Sequence, residues 1–287
     1  MAIIDGKLVS SVLREELKKN IARANEKYGK VFKLTVIIAG NDPASEIYVR
    51  NKEKACLSVG IVSDTIKLPE NVTNEELQKV VSAAANDETV DGILVQLPLP
   101  KGLDETAALA LIPPEKDVDG FSEVNIGRLT QFKKGSSRAC TPAGMMKLLD
   151  YYGVELEGKH AVVVGRSNIV GKPMALMLLE RNCTVTICHS KTQNLKEFTK
   201  TADILVVAVG KPKLITKDMV KDGAVVIDVG ISRDENGKLS GDVDFENVKD
   251  VCSFITPVPG GVGPMTVTML MHNTLLAAKN RHNFATF

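Results

Sequence analysis

The chain has 287 residues, enough for two domains, and its 44% hydrophobic and 25% charged side chains are those of an ordinary soluble globular protein. Lys and Arg (36) balance Asp and Glu (35), so no global field recruits nucleic acid or an anionic membrane. No apolar run approaches the roughly 20 residues that span a bilayer, and MAIIDGKLVSS, with its early Asp, does not read as a secretory signal.

Gly6 to Tyr28 carries Leu8, Val12, Leu17 and Ile21 among charges, an amphipathic helix closed by Gly29. KLTVIIAG (33–40) is a buried strand. The next segment, NDPASEIYVRNKEKACLSVG, is a helix with Asp42 as N-cap, Pro43 in the first turn and Gly60 as C-cap. An alternating strand (IVSDTIKLP), a helix from Asn71 to Asn86 and a strand from Gly92 to Pro100 follow. The alternation argues for a parallel sheet. A proline-rich connection, IPPEKDVDGF, leads to a helix from Thr141 to about Gly153. Beyond the segment starting at Lys159, strands are expected at Ala202–Gly210, Ala224–Gly230 and Val251–Thr256. A Pro/Gly loop, TPVPGGVGPMT, precedes a final helix from Val267 to Asn280. The five cysteines are scattered without a C-x-x-C pair and read as reduced, mostly buried thiols of a cytoplasmic protein. Four dispersed histidines have no ligand spacing, so no metal site is expected.

The segment KHAVVVGRSNIVGKPMALMLLERN (159–182) joins a β-branched strand, a turn at Gly165 and a helix announced by Gly171 and Pro173. Strand, glycine turn and helix N-terminus together suit a pyrophosphate, although Gly165…Gly171 is looser than G-x-G-x-x-G and also fits an ordinary βα turn. The second strand of such a unit, CTVTICHSKT, ends in His189, Ser190 and Lys191 and lacks the carboxylate that accepts from the ribose of NAD. With Arg166 after the first glycine, this end suits a 2′-phosphate, so NADP is expected over NAD. Lys191 itself reads as a solvated charge.

On a helical wheel of Ser45 to Gly60, Glu46, Arg50, Glu53 and Lys54 share one side. Ser45, Tyr48, Lys52, Ala55, Cys56 and Val59 share the other, where Lys52 is the only charge and Tyr48 lies one turn before it. Such a lysine either snorkels past the helix edge or sits desolvated as a base or proton shuttle. Gln96 interrupts an apolar run where a strand ends, which is where α/β proteins place ligands, or where a glutamine simply meets water. Asp117 and Asp119 are ordinary turn residues unless a ligand singles one out. PGGVGP offers bare backbone N–H groups for close approach, or links two elements.

Taken together, PASEIYVRNKEKA, DGILVQLPLP, PEKDVDGF, CTPAG, VVVGRSNIVGKP, CHSKT, DVG and TPVPGGVGPMT, in that order, resemble the bifunctional methylenetetrahydrofolate dehydrogenase/cyclohydrolases of one-carbon metabolism. Ala139 stands before Cys140 where many members have Pro. The resemblance implies two α/β domains with a cleft between them. Residues 1–139 would form a folate-binding catalytic domain onto which the last helix (about 267–287) packs back. Residues 140–266 would form a Rossmann-like NADP domain. It implies that Tyr48 stacks on the folate, that Lys52 is the catalytic lysine, and that Gln96 hydrogen-bonds to Lys52 and helps hold it neutral. Asp119 would anchor the pterin, Val95 and Leu97 would flank the folate beside Gln96, and Pro259, Gly260, Gly261, Val262 and Gly263 would close over it. Gly165, Arg166, Ser167, Ser190 and Ile231 would bind NADP. The implied chemistry is oxidation of a methylene carbon, then hydrolysis of the methenyl product, by a homodimer acting on tetrahydrofolate derivatives. A dehydrogenase without the hydrolase step and a non-enzymatic NADP sensor are the other readings of the same residues.

Overall fold

The computed structural model describes residues 2–233 and 237–284. In chain order the elements are β1 (Ala2–Ile3), α1 (Gly6–Tyr28), β2 (Lys33–Ala39), α2 (Pro43–Val59), β3 (Val62–Leu68), α3 (Asn74–Asn86) and β4 (Gly92–Val95). Next come α4 (Glu105–Ala110), α5 (Glu123–Thr130), α6 (Cys140–Tyr151), β5 (His160–Val164), α7 (Gly171–Glu180), β6 (Thr184–Cys188), α8 (Leu195–Thr199) and β7 (Ile204–Val207). The remainder is β8 (Val225–Asp228), β9 (Ser232–Arg233), β10 (Leu239–Ser240), α9 (Phe245–Val248), β11 (Phe254–Ile255) and α10 (Gly263–Arg281).

The chain divides into two α/β units. One joins the residues up to Ser11 to Thr141–Thr266, and the other joins Val12–Cys140 to the residues from Val267 onward. The sequence reading began the first domain at residue 1. In the structure β1 instead pairs in parallel with β11, Ala2 opposite Phe254 and Ile3 opposite Ile255, and so adds an edge strand to the other unit's sheet.

That sheet is six-stranded and parallel, in the order β1-β11-β8-β7-β5-β6. Its central strands are Val- and Ile-rich because both faces are covered: Val162, Val164, Leu205, Val207 and Val226 are all buried. From β5 the chain steps outward to β6 and then returns across β5 to β7, so β5 and β7 flank a topological switch point, where ligands of open α/β sheets bind.

The other unit holds a three-stranded parallel sheet, β3-β2-β4, with its own switch point between β2 and β4. A core of Ile37, Leu77, Val81, Ile93 and Val95 packs α3 against it. The caps of α2 are those read from the sequence: the Asp42 side chain accepts from Ser45 N and Gly60 closes the helix at φ 91°. α3 begins three residues later than expected, at a capping box of Thr73 and Glu76. β4 stops at Val95 rather than running on to Pro100, because Pro98 and Pro100 have no N–H for a ladder. α10 starts four residues earlier than expected, with Pro264 inside its first turn, where the missing donor costs nothing.

Candidate active site and dinucleotide turn

α2 turns Ser45, Ala55, Cys56 and Val59 into the core, while Tyr48, on the same face, is 49% exposed. Lys52 lies between them, partly buried. Its Nζ donates to Gln96 Oε1 at 2.9 Å, and Gln96 Nε2 donates to Leu97 O at 2.6 Å. The Gln96 amide is therefore fixed at both ends. Its backbone is fixed too, since Gln96 N donates to Ile37 O of β2 at 2.8 Å. The lysine does not snorkel past the helix edge. It points to the carboxyl end of β4, beside the switch point.

Asp119 reaches the same edge by another route. Ile93 of β4 bridges in parallel to Asp117, so Asp119 runs level with Val95. The two acids of the Asp-Val-Asp motif have separate fates. Asp117 is buried and spent on its own turn, accepting from Gly120 N (2.9 Å), Ser122 N (2.8 Å) and Asn125 Nδ2 (2.9 Å). Asp119 accepts no hydrogen bond from the described residues. Burial pushes its carboxyl up to about 6, with Lys52 pulling it down and Asp117 adding to the rise. A carboxyl held this way is available to a ligand, as Asp117 is not.

Two residues that the sequence reading did not single out hold Asp119 in place. Asn273 of α10, buried, donates through Nδ2 to Val118 O and Arg138 O, both at 2.8 Å. Cys140 Sγ donates to the same Val118 carbonyl at 3.3 Å. Gly120 lets the two segments meet: at φ +73°, a Cβ there would lie 2.5 Å from the Arg138 carbonyl carbon.

In the other unit, the turn after β5 is built for close approach. A Cβ on Gly165 would lie 2.4 Å from Ala208 O of the chain leaving β7, and one on Gly171 would lie 2.2 Å from Gly165 O. The amides of Arg166, Ser167, Asn168 and Ile169 have no acceptor among the described residues. Ser167 Oγ accepts from Val170 N (3.1 Å) and Gly171 N (3.3 Å), which caps α7 and leaves its own O–H proton for a ligand. Gly165 N donates to Cys188 O at 2.8 Å, and Val164 pairs with Cys188, so Arg166 and Ser190 extend from neighbouring strand ends. Both are exposed, and no carboxylate neighbours either of them in sequence. These features fit a dinucleotide with a 2′-phosphate.

Ile231 is exposed beside Gly230, at the end of β8. Its neighbourhood is pinned by two buried acids that the sequence reading also passed over. Asp228 accepts from Gly230, Asp242 and Val243 N, each at 2.9 Å, and Asp242 accepts from Val209 N (2.7 Å) and Gly210 N (3.0 Å). Residues 259–262 lie in the loop after β11 and Gly263 opens α10, in this same unit rather than the one that carries Lys52. Gly261 N is used within the loop, on Pro257 O, while Gly260 and Val262 N have no acceptor among the described residues. All five cysteines are free and buried. Among the described residues no cluster is placed to hold a metal ion, and no helix is long and apolar enough to cross a membrane.

The chain matches two models of one family. The catalytic-domain model of tetrahydrofolate dehydrogenase/cyclohydrolase covers residues 4–119, and its NAD(P)-binding-domain model covers 139–282. The chain belongs to this family. Among its relatives in the tetrahydrofolate dehydrogenase/cyclohydrolase family, the "Bifunctional protein FolD" of Campylobacter hominis is 57% identical over 98% of each chain. The crystal structure of the bifunctional enzyme FolD, a methylenetetrahydrofolate dehydrogenase/cyclohydrolase from Campylobacter jejuni, superposes with a TM-score of 0.96 at 49% identity, over 98% of this chain and 99% of that one. The Trypanosoma brucei enzyme, solved with NADP cofactor and inhibitor, gives 0.94 at 40% identity over 99% of each.

Proposed function

We propose that this chain oxidises 5,10-methylenetetrahydrofolate with NADP and then hydrolyses the 5,10-methenyl product to 10-formyltetrahydrofolate. The observation that carries the reading is the Lys52–Gln96 hydrogen bond at the carboxyl edge of β4, level with an uncommitted Asp119. Nothing in the fold requires that pair, and membership of a dehydrogenase/cyclohydrolase family gives it a task. Asp119 would accept from the donors of the pterin edge, Tyr48 would stack on the folate, and Val95 and Leu97 would flank it. We assign the bare amides of the loop at 259–263 to folate contact as well. NADP would lie on the turn from Gly165 to Ser167, with Arg166 and Ser190 at its 2′-phosphate and Ile231 alongside. When bound, the nicotinamide supplies the redox chemistry. In the second step a water oxygen bonds to the methenyl carbon, one C–N bond of the ring opens, and one proton is released. Lys52 would carry the proton from that water, held at the right place by Gln96. We place the enzyme in the cytoplasm as a homodimer, as the family resemblance implies.

The direct test incubates the full chain with methylenetetrahydrofolate and NADP and follows both reduced cofactor and methenyl absorbance. Cofactor should be reduced while the methenyl species is consumed. Methenyl product that accumulates in step with reduced cofactor would leave a dehydrogenase alone, and no reduction would remove the enzyme reading.

The Asp119 assignment has a pH signature. A carboxyl with a pKa near 6 is the ionised acceptor above that pH and a neutral acid below it. Folate affinity should be level above pH 6 and fall about tenfold per unit below it. In Asp119→Ala the break should vanish, with affinity down about 10- to 150-fold, the worth of a hydrogen bond to a charged group. A wild-type titration with no break near pH 6 would return Asp119 to a passive role.

Asn273 is a positioning residue in this reading, since it ties the Val118 carbonyl, next to Asp119, to that of Arg138. Asn273→Ala should raise the folate KM several-fold while NADP binding holds. In an Asp119→Ala background the same change should add little, because the two act through one contact. Additive effects in that double-mutant cycle would mean that Asn273 supports the fold generally.

A further inference from the structure

The unit that carries Lys52 has a second concave surface, a cavity of about 720 Å³, and none of Tyr48, Lys52, Gln96 or Asp119 lines it. Its floor is the segment Lys133-Lys134-Gly135-Ser136-Ser137, between α5 and α6. Gly135 sits at φ +79°, and its carbonyl is held by Asn280 Nδ2 at 2.6 Å. With the carbonyl turned to Asn280, the amides of Gly135, Ser136 and Ser137 have no acceptor among the described residues. Successive N–H groups around a left-handed glycine form the concave donor set that recognises oxyanions. Ser137 adds a hydroxyl: the residue is only 7% exposed, it lines the cavity, and its side chain makes no hydrogen bond among the described residues. That hydroxyl opens onto the cavity, where it can donate to a ligand.

Charge points the same way. Lys133, Lys134, Arg128, Lys116 and Arg281 line the cavity against Glu88 and Glu115. Arg281 is paired with Glu88 at 2.8 Å and Lys116 is spent on the carbonyls of Ala85 and Asp87, both at 2.7 Å. Arg128 reaches only Asn125 Oδ1, at 3.4 Å, and the ammonium groups of Lys133 and Lys134 have no partner among the described residues. This patch is local, since the whole chain carries only +1. The volume is that of a metabolite site rather than a single ion.

We propose that this cavity binds a small molecule bearing two or more anionic groups, phosphate or carboxylate, with one of them seated on the amides of Gly135, Ser136 and Ser137 and the Ser137 hydroxyl, and the others met by Lys133, Lys134 and Arg128. The site is separate from the folate and dinucleotide residues and does not rest on their assignment.

The test uses the full chain saturated with NADP, so that the dinucleotide turn is filled and cannot report. Inorganic pyrophosphate and citrate are titrated separately by calorimetry. Saturable 1:1 binding is expected, with a dissociation constant below about 1 mM. It should weaken at least tenfold in the Lys133→Glu/Lys134→Glu variant and several-fold in Ser137→Ala, while methylenetetrahydrofolate oxidation stays at the wild-type rate. Tighter binding of pyrophosphate assigns a phosphate-bearing ligand, and tighter binding of citrate a polycarboxylate. No saturable heat with NADP bound, or binding that the double variant leaves unchanged, overturns the proposal.

Discussion

In a Lys52→Ala variant, methenyltetrahydrofolate hydrolysis falls by about 10²- to 10⁴-fold, the range that positioned proton transfer contributes, while NADP affinity is unchanged. The expectation rests on geometry. Lys52 is the one charged group on the inward face of α2, and its Nζ is tied to a glutamine that is itself tied to Leu97 O. The other protic groups of that face are poor substitutes: Ser45 is buried, Cys56 is buried with its thiol pushed up to about 12, and Tyr48 is exposed. NADP should not sense the change, because Gly165, Arg166 and Ser190 belong to a different unit of the chain. The measurements are methenyl decay with no cofactor present and an NADP titration of the same preparation. Wild-type decay in the variant would take the catalytic role away from Lys52. A variant that lost both activities together with its folded-state spectrum would be remade as Lys52→Gln, which keeps part of the stem and an N–H donor without the ammonium.

The second large effect concerns cofactor choice. The wild type should prefer NADP to NAD, and Arg166→Ala should narrow that preference by weakening NADP about 10- to 150-fold, since a hydrogen bond to a charged group is worth about 1.5–3 kcal/mol. Arg166 is exposed and makes no ion pair or hydrogen bond among the described residues, so its removal should cost the fold little. KM and kcat/KM for both dinucleotides, in wild type and variant, decide the matter. Equal losses for NADP and NAD would move Arg166 to the pyrophosphate. A wild type that prefers NAD would mean that His189, Ser190 and Lys191 do not face a 2′-phosphate.

How far each of these residues was legible in the sequence follows from how local its cause is. Asp42, Pro43 and Gly60 act within a turn of their own positions, so the span of α2 could be read directly, and with it the odd lysine on an apolar face. The glycines at 165 and 171 also act locally, through the space a Cβ would need. Asn273 could not be found this way. It lies inside an apolar helix as one polar residue among many, and its partners at Val118 and Arg138 are 155 and 135 residues away. By residue type Asp117 and Asp119 read alike, and it is the family resemblance that picks out Asp119. The physical reason for the difference is the turn that consumes Asp117. The small elements failed for a different reason. β1 has two residues, too few to show a period of two, and its strand character comes from β11. α4 and α5 flank the prolines at 113 and 114, and within six or eight residues a helical stripe is barely repeated.

The pairing of β1 with β11 also sets a timetable. Ile3 and Ile255 are partners across roughly 250 residues, so at about 5–20 residues per second the ribosome adds them on the order of 12 to 50 s apart. During that interval the strand is made but has no neighbour, and the six-stranded sheet lacks its edge. The Lys52 unit waits as well, because Asn273, which clasps the Asp119 segment, is synthesised later still. The sheet of the dinucleotide unit is complete once β11 is made, and the Lys52 unit only when α10 follows. Until α10 emerges, the nascent chain therefore carries an unfinished core in the Lys52 unit, the kind of transiently exposed apolar surface that is prone to aggregate.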